Sequence, residues 1–232
     1  KYLLQKKITV LGVDNLNSYY DTKLKKKTLE EQVEHFNKIQ DKFFFKLIGK
    51  KISIMLEEIN YEYKVTEVDI NNGEQFKEYF KKISPFSKIP VIIDHDNNKE
   101  VVFESGAILM YLGEKSNKFY EQKDRTKINQ WLMAQMAYVG PMLGQHHQFH
   151  RYNSGKDKWG EERYFKITKT IYGDLDQRLD QSEYLAGDNY SIADIATFPW
   201  IARHEWHDIG LKNFKNLTRW YLNIASREAV IK

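Results

Sequence analysis

Two short motifs, Lys88-Ile89-Pro90 and the run Phe103 to Ile108, constrain the fold of this chain more than any other feature. A strand–turn–strand pattern separates them, and Phe103 lies 13 positions after Pro90. An Ile-Pro bond at the start of a strand is a candidate cis peptide bond, and the backbone before it can pair with an extended peptide. Glu104 and Ser105 fall where a strand ends and a helix begins, which offers a carboxylate, a hydroxyl and helix N–H groups. Either motif alone could be a tight turn or an ordinary helix cap; together they predict a site for a small peptide carrying an amine and a carboxylate.

The pattern around these motifs predicts a small sheet with helices. Apolar residues recur with helical spacing over 50–60, at Ile52, Met55, Leu56 and Ile59. Strands are predicted at 61–68, 90–93 and 101–103, a short helix or turn at 73–83, and a helix at 107–115. This order is typical of a thioredoxin-like domain that lacks its first strand. We predict that Phe43 to Lys46 supplies that strand.

From about residue 124 the pattern is entirely helical. Apolar residues with helical spacing mark 128–143, 161–179 and 214–226. Ser191 is a candidate N-cap, and Asp194 completes a capping box whose expected role is stability. The predicted fold class is therefore α+β, a thioredoxin-like domain followed by an all-helical domain. The predicted domains are 1–42, 43–116 and 124–232, with 1–42 as an N-terminal extension foreign to the fold.

Composition limits the chemistry and the location. The 232 residues include no cysteine, which excludes disulfides, thiolate metal sites and a CxxC redox centre, so any thiol must come from a ligand. No apolar run is long enough for a transmembrane helix, and no secretory signal is visible. We therefore expect a cytoplasmic protein that does not bind membranes. The net charge of +4 resides in residues 1–47, and the neutral remainder argues against a nucleic-acid partner.

Residues 49–232 resemble the cytosolic glutathione transferases, in particular the Nu class and the related Ure2 proteins. The resemblance rests on GKKISIMLEE (49–58), SPFSKIPVIID (84–94), FESGAILMYLGEK (103–115), GPMLGQHHQF (140–149) and YLAGDNYSIADIATFPW (184–200). It implies that Glu104 and Ser105 hold the γ-glutamyl end of glutathione, and that Ile89, before Pro90, pairs with the cysteinyl unit. Lys88 and Gln75 are expected to contact glutathione carboxylates. The implied cosubstrate is glutathione, the other substrate is a small electrophile or disulfide, and the expected assembly is a homodimer.

The chain departs from this family where the first strand should end. In the Nu class that segment is Thr-Pro-Asn-Gly, and its Thr and Asn face the glutathione sulfur and help to stabilise the reactive thiolate. The aligned residues here are Lys46, Leu47, Ile48 and Gly49, so both polar groups are missing and the catalytic residues are unassigned. Lys46 either stabilises a thiolate by its charge or is a solvated lysine at a strand end, and we prefer the second interpretation.

Residues 1–47 resemble a different family, the nucleotide-sugar epimerases of the short-chain dehydrogenase type, through the run TVLGVDNLNSYYD (9–21). Asp14 takes the position of the Asp that binds the adenosine ribose in those enzymes. The glycine-rich phosphate loop is missing, because Gly12 is the only glycine before Asp14. We therefore expect no NAD binding and a fragment that packs poorly. A gene fusion, a frameshift or an assembly error near residue 47 would each produce it.

A group of histidines with one glutamate suggests a metal site: His146, His147, His150, His204, Glu205 and His207. His146 and His150 have i, i+4 spacing, but the chain lacks the HExxH order, and no three ligands share one predicted helix face. We predict that the chain binds no metal.

Three functions remain open. The leading hypothesis is an enzyme, a glutathione transferase or glutathione-dependent disulfide reductase, which the absence of cysteine fits. The second is a regulatory protein that binds glutathione without turnover, which the altered segment at Lys46 and Ile48 favours. The third is an inert fusion product, which the truncated epimerase-like segment favours.

Overall fold

The computed structural model describes residues 8–11 and 47–232 of the chain. These residues divide into two compact units. The first contains the described residues as far as Tyr111 together with Arg227–Lys232, and the second is Leu112–Ser226. The domain boundaries at 42, 116 and 124 remain predictions about how far each family domain extends.

A four-stranded sheet forms the centre of the first unit. Its strands are β1 (Ile8–Leu11), β2 (Tyr63–Thr66), β3 (Val91–Asp94) and β4 (Glu100–Phe103), in the spatial order β2-β1-β3-β4. Strand β1 runs parallel to β2 and antiparallel to β3, and β3 pairs antiparallel with β4. Strands β1 and β3 are therefore the two inner strands of this sheet.

The source of the first strand differs from the prediction. Phe43 to Lys46 lie outside the described residues, and Ile8–Leu11 occupies the predicted position between β2 and β3. Ile8, Thr9 and Val10 are β-branched and suit a strand with neighbours on both sides. The expectation that the epimerase-like segment packs poorly is therefore wrong for Ile8–Leu11, which pairs along both of its edges.

Helices and a buried apolar cluster complete the first unit. Helix α1 (Leu47–Ile59) buries Ile52, Met55, Leu56 and Ile59, as their helical spacing predicts. A 3₁₀ turn (Glu74–Phe76) and α2 (Glu78–Lys81) precede β3, and α3 (Ser105–Ser116) follows β4. A further helix, α9 (Glu228–Ile231), contacts α1. A second group of buried residues anchors the loop before β3: Val68, Phe80, Ile89 and Val91.

The described part of the second unit is helical apart from turns and one isolated bridge. Its helices are α4 (Arg125–Ala134), α5 (Gly140–His147), α6 (Lys158–Asp180), α7 (Ile192–Ile201) and α8 (Lys215–Ala225). Two π-helical segments, Gln135–Val139 and Gln148–Tyr152, lie before and after α5. The predicted α+β class, with a thioredoxin-like domain and an all-helical domain, is confirmed by this arrangement.

The start of α7 is capped as its sequence predicts. The buried Asp194 carboxylate accepts hydrogen bonds from the backbone N–H and the hydroxyl of Ser191, at 3.0 and 2.9 Å. It also accepts from the Leu185 N–H and from the Trp220 indole, both at 2.9 Å. One carboxylate thus joins the helix start to a loop and to α8. Within the described ranges, no helix is both long and apolar enough to cross a bilayer.

Candidate functional site

A turn that is held by two side-chain hydrogen bonds leads into β3. The Ser84 hydroxyl donates a hydrogen bond to the Lys88 carbonyl at 2.7 Å and accepts one from the Lys88 N–H at 3.0 Å. The Ile89-Pro90 peptide bond that follows is cis, as predicted. The Ile89 side chain belongs to the buried cluster of the first unit. What Ile89 can offer a ligand is therefore its backbone.

The junction of β4 and α3 supplies the polar groups. Glu104 has a φ of 68°, in the left-handed region that a non-glycine residue adopts at a cost. The Ile108 N–H donates to the Glu104 carbonyl at 2.9 Å and closes the first helical turn. Ser105 begins α3 and is buried, whereas the Glu104 side chain is exposed. A carboxylate and a helix N-terminus are therefore held side by side, so one can bind an ammonium group and the other a carboxylate.

A cleft of about 220 Å³ connects these two features. Five residues that the sequence predicted for the site line it: Lys88, Ile89, Pro90, Glu104 and Ser105. Three further residues, to which the sequence analysis assigned no role in binding, complete its wall: Ser84, Phe86 and Phe103. Phe86 is 73% exposed, so the cleft has an apolar side as well as a charged one.

Gln75 does not line this cleft. Its side-chain amide donates a hydrogen bond to the Ile70 carbonyl at 3.1 Å, within the loop that precedes α2. The structure therefore gives Gln75 a role in shaping that loop.

Lys51 is a charged residue of this unit that the sequence analysis passed over. It lies on α1, its side chain is only 7% exposed, and it interacts electrostatically with the Glu104 carboxylate. Burial lowers the pKa of Lys51 to about 8, and the negative charge of Glu104 opposes that shift. The sequence feature that indicates this burial is the position of Lys51 one helical turn before the buried Met55, on the apolar face of α1.

The segment aligned with the family's thiol-stabilising residues is placed differently from the prediction. Lys46 lies outside the described residues, and Ile48 is the second residue of α1 rather than the end of a strand. The strand that ends at the cleft edge of the sheet is β1, because its last residue, Leu11, pairs with Val91, which follows Pro90. The predicted strand end at Lys46 to Ile48 is therefore wrong, since helix α1 has already begun at Leu47.

The histidines of the second unit come together around the end of α5. His146 and His150 stack with ring centroids 4.7 Å apart, and His147 and His207 stack at 4.6 Å. Among the described residues, no three His, Asp or Glu side chains are arranged to hold a metal ion.

Comparisons with known proteins agree with this geometry. Residues 43–114 match the N-terminal domain of glutathione S-transferase, and residues 136–228 match its C-terminal domain. The disulfide-bond oxidoreductase YfcG of Escherichia coli is 41% identical over 187 residues, which cover 78% of this chain and 87% of YfcG. The E. coli disulfide-bond oxidoreductase YghU is 34% identical over 200 residues, covering 78% of this chain and 69% of YghU.

Solved structures show the same relationship. A glutathione transferase from Burkholderia graminis, with two glutathione molecules bound per subunit, superposes with a TM-score of 0.77 and 31% identity. The superposition covers 97% of this chain and 86% of that structure. With both domain families matched in order along the chain, the protein belongs to the glutathione S-transferase family.

Proposed function

We propose that the protein binds glutathione in the cleft beside Glu104 and uses it to reduce small disulfides or to conjugate small electrophiles. The observation that carries this proposal is the meeting of the Ile89 backbone, the Glu104 carboxylate and the start of α3 in one cleft. The name and 41% identity of YfcG support the choice of disulfide reduction as the first activity to test.

Each end of glutathione has a complementary partner in the cleft. The Glu104 carboxylate would accept hydrogen bonds from the γ-glutamyl ammonium, a charge-assisted contact. Ser105 and the first turn of α3 would hold the adjacent carboxylate. The Ile89 backbone would pair with the cysteinyl unit, and Lys88 would attract the glycyl carboxylate. A contact from Gln75 would require its amide to leave the Ile70 carbonyl.

The chemistry uses only sulfur atoms that the substrates bring, because the chain has no cysteine. The glutathione thiolate attacks one sulfur of a disulfide, forms a mixed disulfide and expels the other sulfur as a thiolate, which takes up the proton that glutathione released. A second glutathione reduces the mixed disulfide in the same way. Two glutathione thiols are then oxidised to glutathione disulfide, and the substrate is reduced to two thiols.

Calorimetric titration with glutathione tests the binding half of the proposal. Glu104→Ala should weaken binding by about 1.5–3 kcal/mol, the range for a lost hydrogen bond to a charged group. Glu100→Ala is the matched control, since Glu100 is an exposed carboxylate at the opposite end of β4, and it should leave affinity unchanged. If the Glu104→Ala variant and the unmodified protein bound glutathione with equal affinity, the proposal that glutathione binds in this cleft would be wrong.

Turnover of a model disulfide tests the catalytic half. A second candidate function, a regulatory protein that binds glutathione without turnover, is favoured by the placement of Ile48 in α1, away from a strand end. Binding together with glutathione-dependent reduction of 2-hydroxyethyl disulfide supports the enzyme. Binding without turnover supports the regulatory protein. The absence of both binding and turnover supports an inert fusion product.

We further propose that the protein is a homodimer. Three large apolar side chains of the first unit, Phe76, Tyr79 and Phe86, are each more than half exposed, and a second copy would cover apolar surface of this kind. Light scattering after size-exclusion chromatography should give a dimer mass, and Phe76→Ser with Tyr79→Ser should shift it towards the monomer. A monomer mass for the unmodified protein would reject this assembly.

The remaining proposals concern location and origin. A cytoplasmic location fits the proposed activity, because reduced glutathione is maintained there. For residues 1–47 we keep the proposal of an epimerase-like origin, which rests on the run from Thr9 to Asp21. The sequence of the gene across residue 47 tests this origin, since an intact reading frame in independent isolates would favour a fusion over a frameshift or an assembly error.

A further inference from the structure

A turn of the second unit, residues 203–208 between α7 and α8, is bound to the preceding helices through histidine side chains. The His146 Nε2–H donates to the His207 carbonyl at 3.1 Å, since a carbonyl only accepts. The Tyr172 hydroxyl lies 2.8 Å from the His207 Nδ1. We refer to residues 203–208 as the 203–208 turn.

One hydrogen bond fixes the protonation state of His147. The Arg203 Nη1 lies 3.3 Å from the His147 Nδ1, and a guanidinium can only donate. The Nδ1 of His147 must therefore accept, which leaves its single proton on Nε2. A second proton, on Nδ1, would remove this hydrogen bond and place two cations in contact. The geometry thus requires a neutral His147 in the closed arrangement.

His207 is equally unsuited to carrying a charge. Its ring is fully buried and stacks on His147 with centroids 4.6 Å apart and planes 17° from parallel. In the described part of the chain, the Nε2 atoms of both rings are buried without a hydrogen-bond partner. A proton added to either ring would create a buried positive charge whose Nε2–H has no acceptor, beside a second imidazole.

The surroundings of this pair offer little compensation for added positive charge. Titratable and charged side chains from several elements face the His147–His207 pair or its direct neighbours. The preceding helices and α8 contribute His146, His150, Arg151, Tyr172 and Tyr221. The 203–208 turn itself contributes Arg203, His204, Glu205 and Asp208. Of the two carboxylates, Asp208 is paired with His150 and Arg151, and Glu205 is exposed.

We propose that the stacked imidazoles of His147 and His207 form an acid-sensitive latch, which holds the 203–208 turn against α5 and α6 at neutral pH and releases it on acidification. Release removes the Arg203–His147 bond and the ring stack together. Arg151 also binds the turn, through the Trp206 carbonyl at 3.0 Å, but its charge does not change in this pH range, so that contact does not by itself make the turn sensitive to acid.

The direction of the pH effect follows from the pKa values of the closed state. Burial, and then the Arg203 charge, lowers the pKa of His147 to about 2, and burial lowers the pKa of His207 well below its usual value. The released imidazoles would titrate near their ordinary pKa of about 6.5. The closed latch is therefore fully stable above about pH 7 and weakens as the pH falls below about 6.5, by up to roughly tenfold per pH unit for each histidine.

Hydrogen–deuterium exchange on the full chain tests the latch. After correction for intrinsic rates, peptides covering 201–211 should exchange at least about 30-fold faster at pH 5.0 than at pH 7.5. The reason is that pH 5.0 lies about 1.5 units below the ordinary histidine pKa, and each unit favours release by about tenfold per histidine. His147→Gln keeps an oxygen that can accept from Arg203 but cannot be protonated. In this variant the ratio of the exchange rates at pH 5.0 and pH 7.5 should be about 30-fold smaller than in the unmodified protein, because one histidine no longer titrates.

Matched controls separate the latch from a general effect of acid. His95→Gln removes an exposed histidine in the β3–β4 turn and should retain the full response. An unchanged exchange rate of 201–211 between the two pH values, or an equal response in His147→Gln, would overturn the proposal. If His147→Gln does not fold, NMR titration of the unmodified protein decides: a His147 imidazole that stays neutral down to the pH of release supports the latch, and one that titrates near pH 6.5 in the closed state refutes it.

Discussion

The Arg227 guanidinium and the Glu58 carboxylate form a two-pronged ion pair across 169 positions of the sequence, with N–O distances of 2.5 and 2.9 Å. Glu58 lies on α1, and its side chain is only 8% exposed. Arg227 directly precedes α9, which contacts α1. The pair therefore fastens residues from the end of the chain to the thioredoxin-like unit.

We expect Arg227→Ala to lower the free energy of unfolding by about 1.5–3 kcal/mol, because it leaves a largely buried carboxylate without its partner. Urea denaturation at pH 7 measures the loss. Lys232→Ala is the control, since the Lys232 ammonium is about half exposed and lies 3.6 Å from Glu57, and it should leave the urea midpoint nearly unchanged. Similar losses in both variants would show that the Glu58 pair is no stronger than a surface contact.

The second prediction concerns strand β1. Val10 pairs with Val65 on one side and with Ile92 on the other. Val10→Pro removes an N–H from the middle of the sheet and should cost about 1–3 kcal/mol, because a buried carbonyl loses its donor. Val10→Ile, which preserves the strand, should leave the melting temperature nearly unchanged. If Val10→Pro melts like the unmodified protein, the sheet draws its first strand from elsewhere in the chain.

The same strand shows what the sequence could and could not predict. The cleft was predictable because Ile89-Pro90 and Glu104-Ser105 are local motifs, in which neighbouring residues determine the backbone. The source of β1 was not predictable, because several distant segments could pair with Val65 and Ile92. Phe43 to Lys46 was only the candidate that lies nearer to these strands in the sequence. Lys51 was missed for a related reason: helical spacing shows which face is buried, but not which charge of another element meets it.

The third prediction concerns Lys51, whose burial is unfavourable for folding. The folded state holds its proton with a pKa of about 8, against 10.5 ordinarily. Between those values the unfolded chain binds more protons, so stability should rise as the pH increases from 8 to 10.5. Lys51→Met should be more stable at pH 7 by about 1–3 kcal/mol and should lack that rise.

Lys50→Met is the neighbouring control for Lys51→Met. Lys50 is partly exposed on the same helix, so its replacement should shift stability by less than about 0.5 kcal/mol and keep the rise above pH 8. Denaturation curves at pH 7 and pH 10 measure both variants. A destabilised Lys51→Met protein would mean that the ammonium gains more from its surroundings, Glu104 included, than its burial costs.

The last prediction concerns thiol activation. If Lys46 and Ile48 occupied the family's strand end, Lys46→Thr with Ile48→Asn would restore two donors to the glutathione sulfur, each worth about 100-fold or more in rate. The structure instead places Ile48 inside α1 and ends β1 at Leu11, which is paired with Val91 beside Pro90. We therefore expect the double variant to change glutathione-dependent disulfide reduction by less than about twofold. Glutathione affinity, measured in parallel by calorimetry, should stay unchanged, because Glu104 and Ser105 are untouched. A large gain in rate at constant affinity would show that the side chain at position 48 reaches the sulfur from the start of α1.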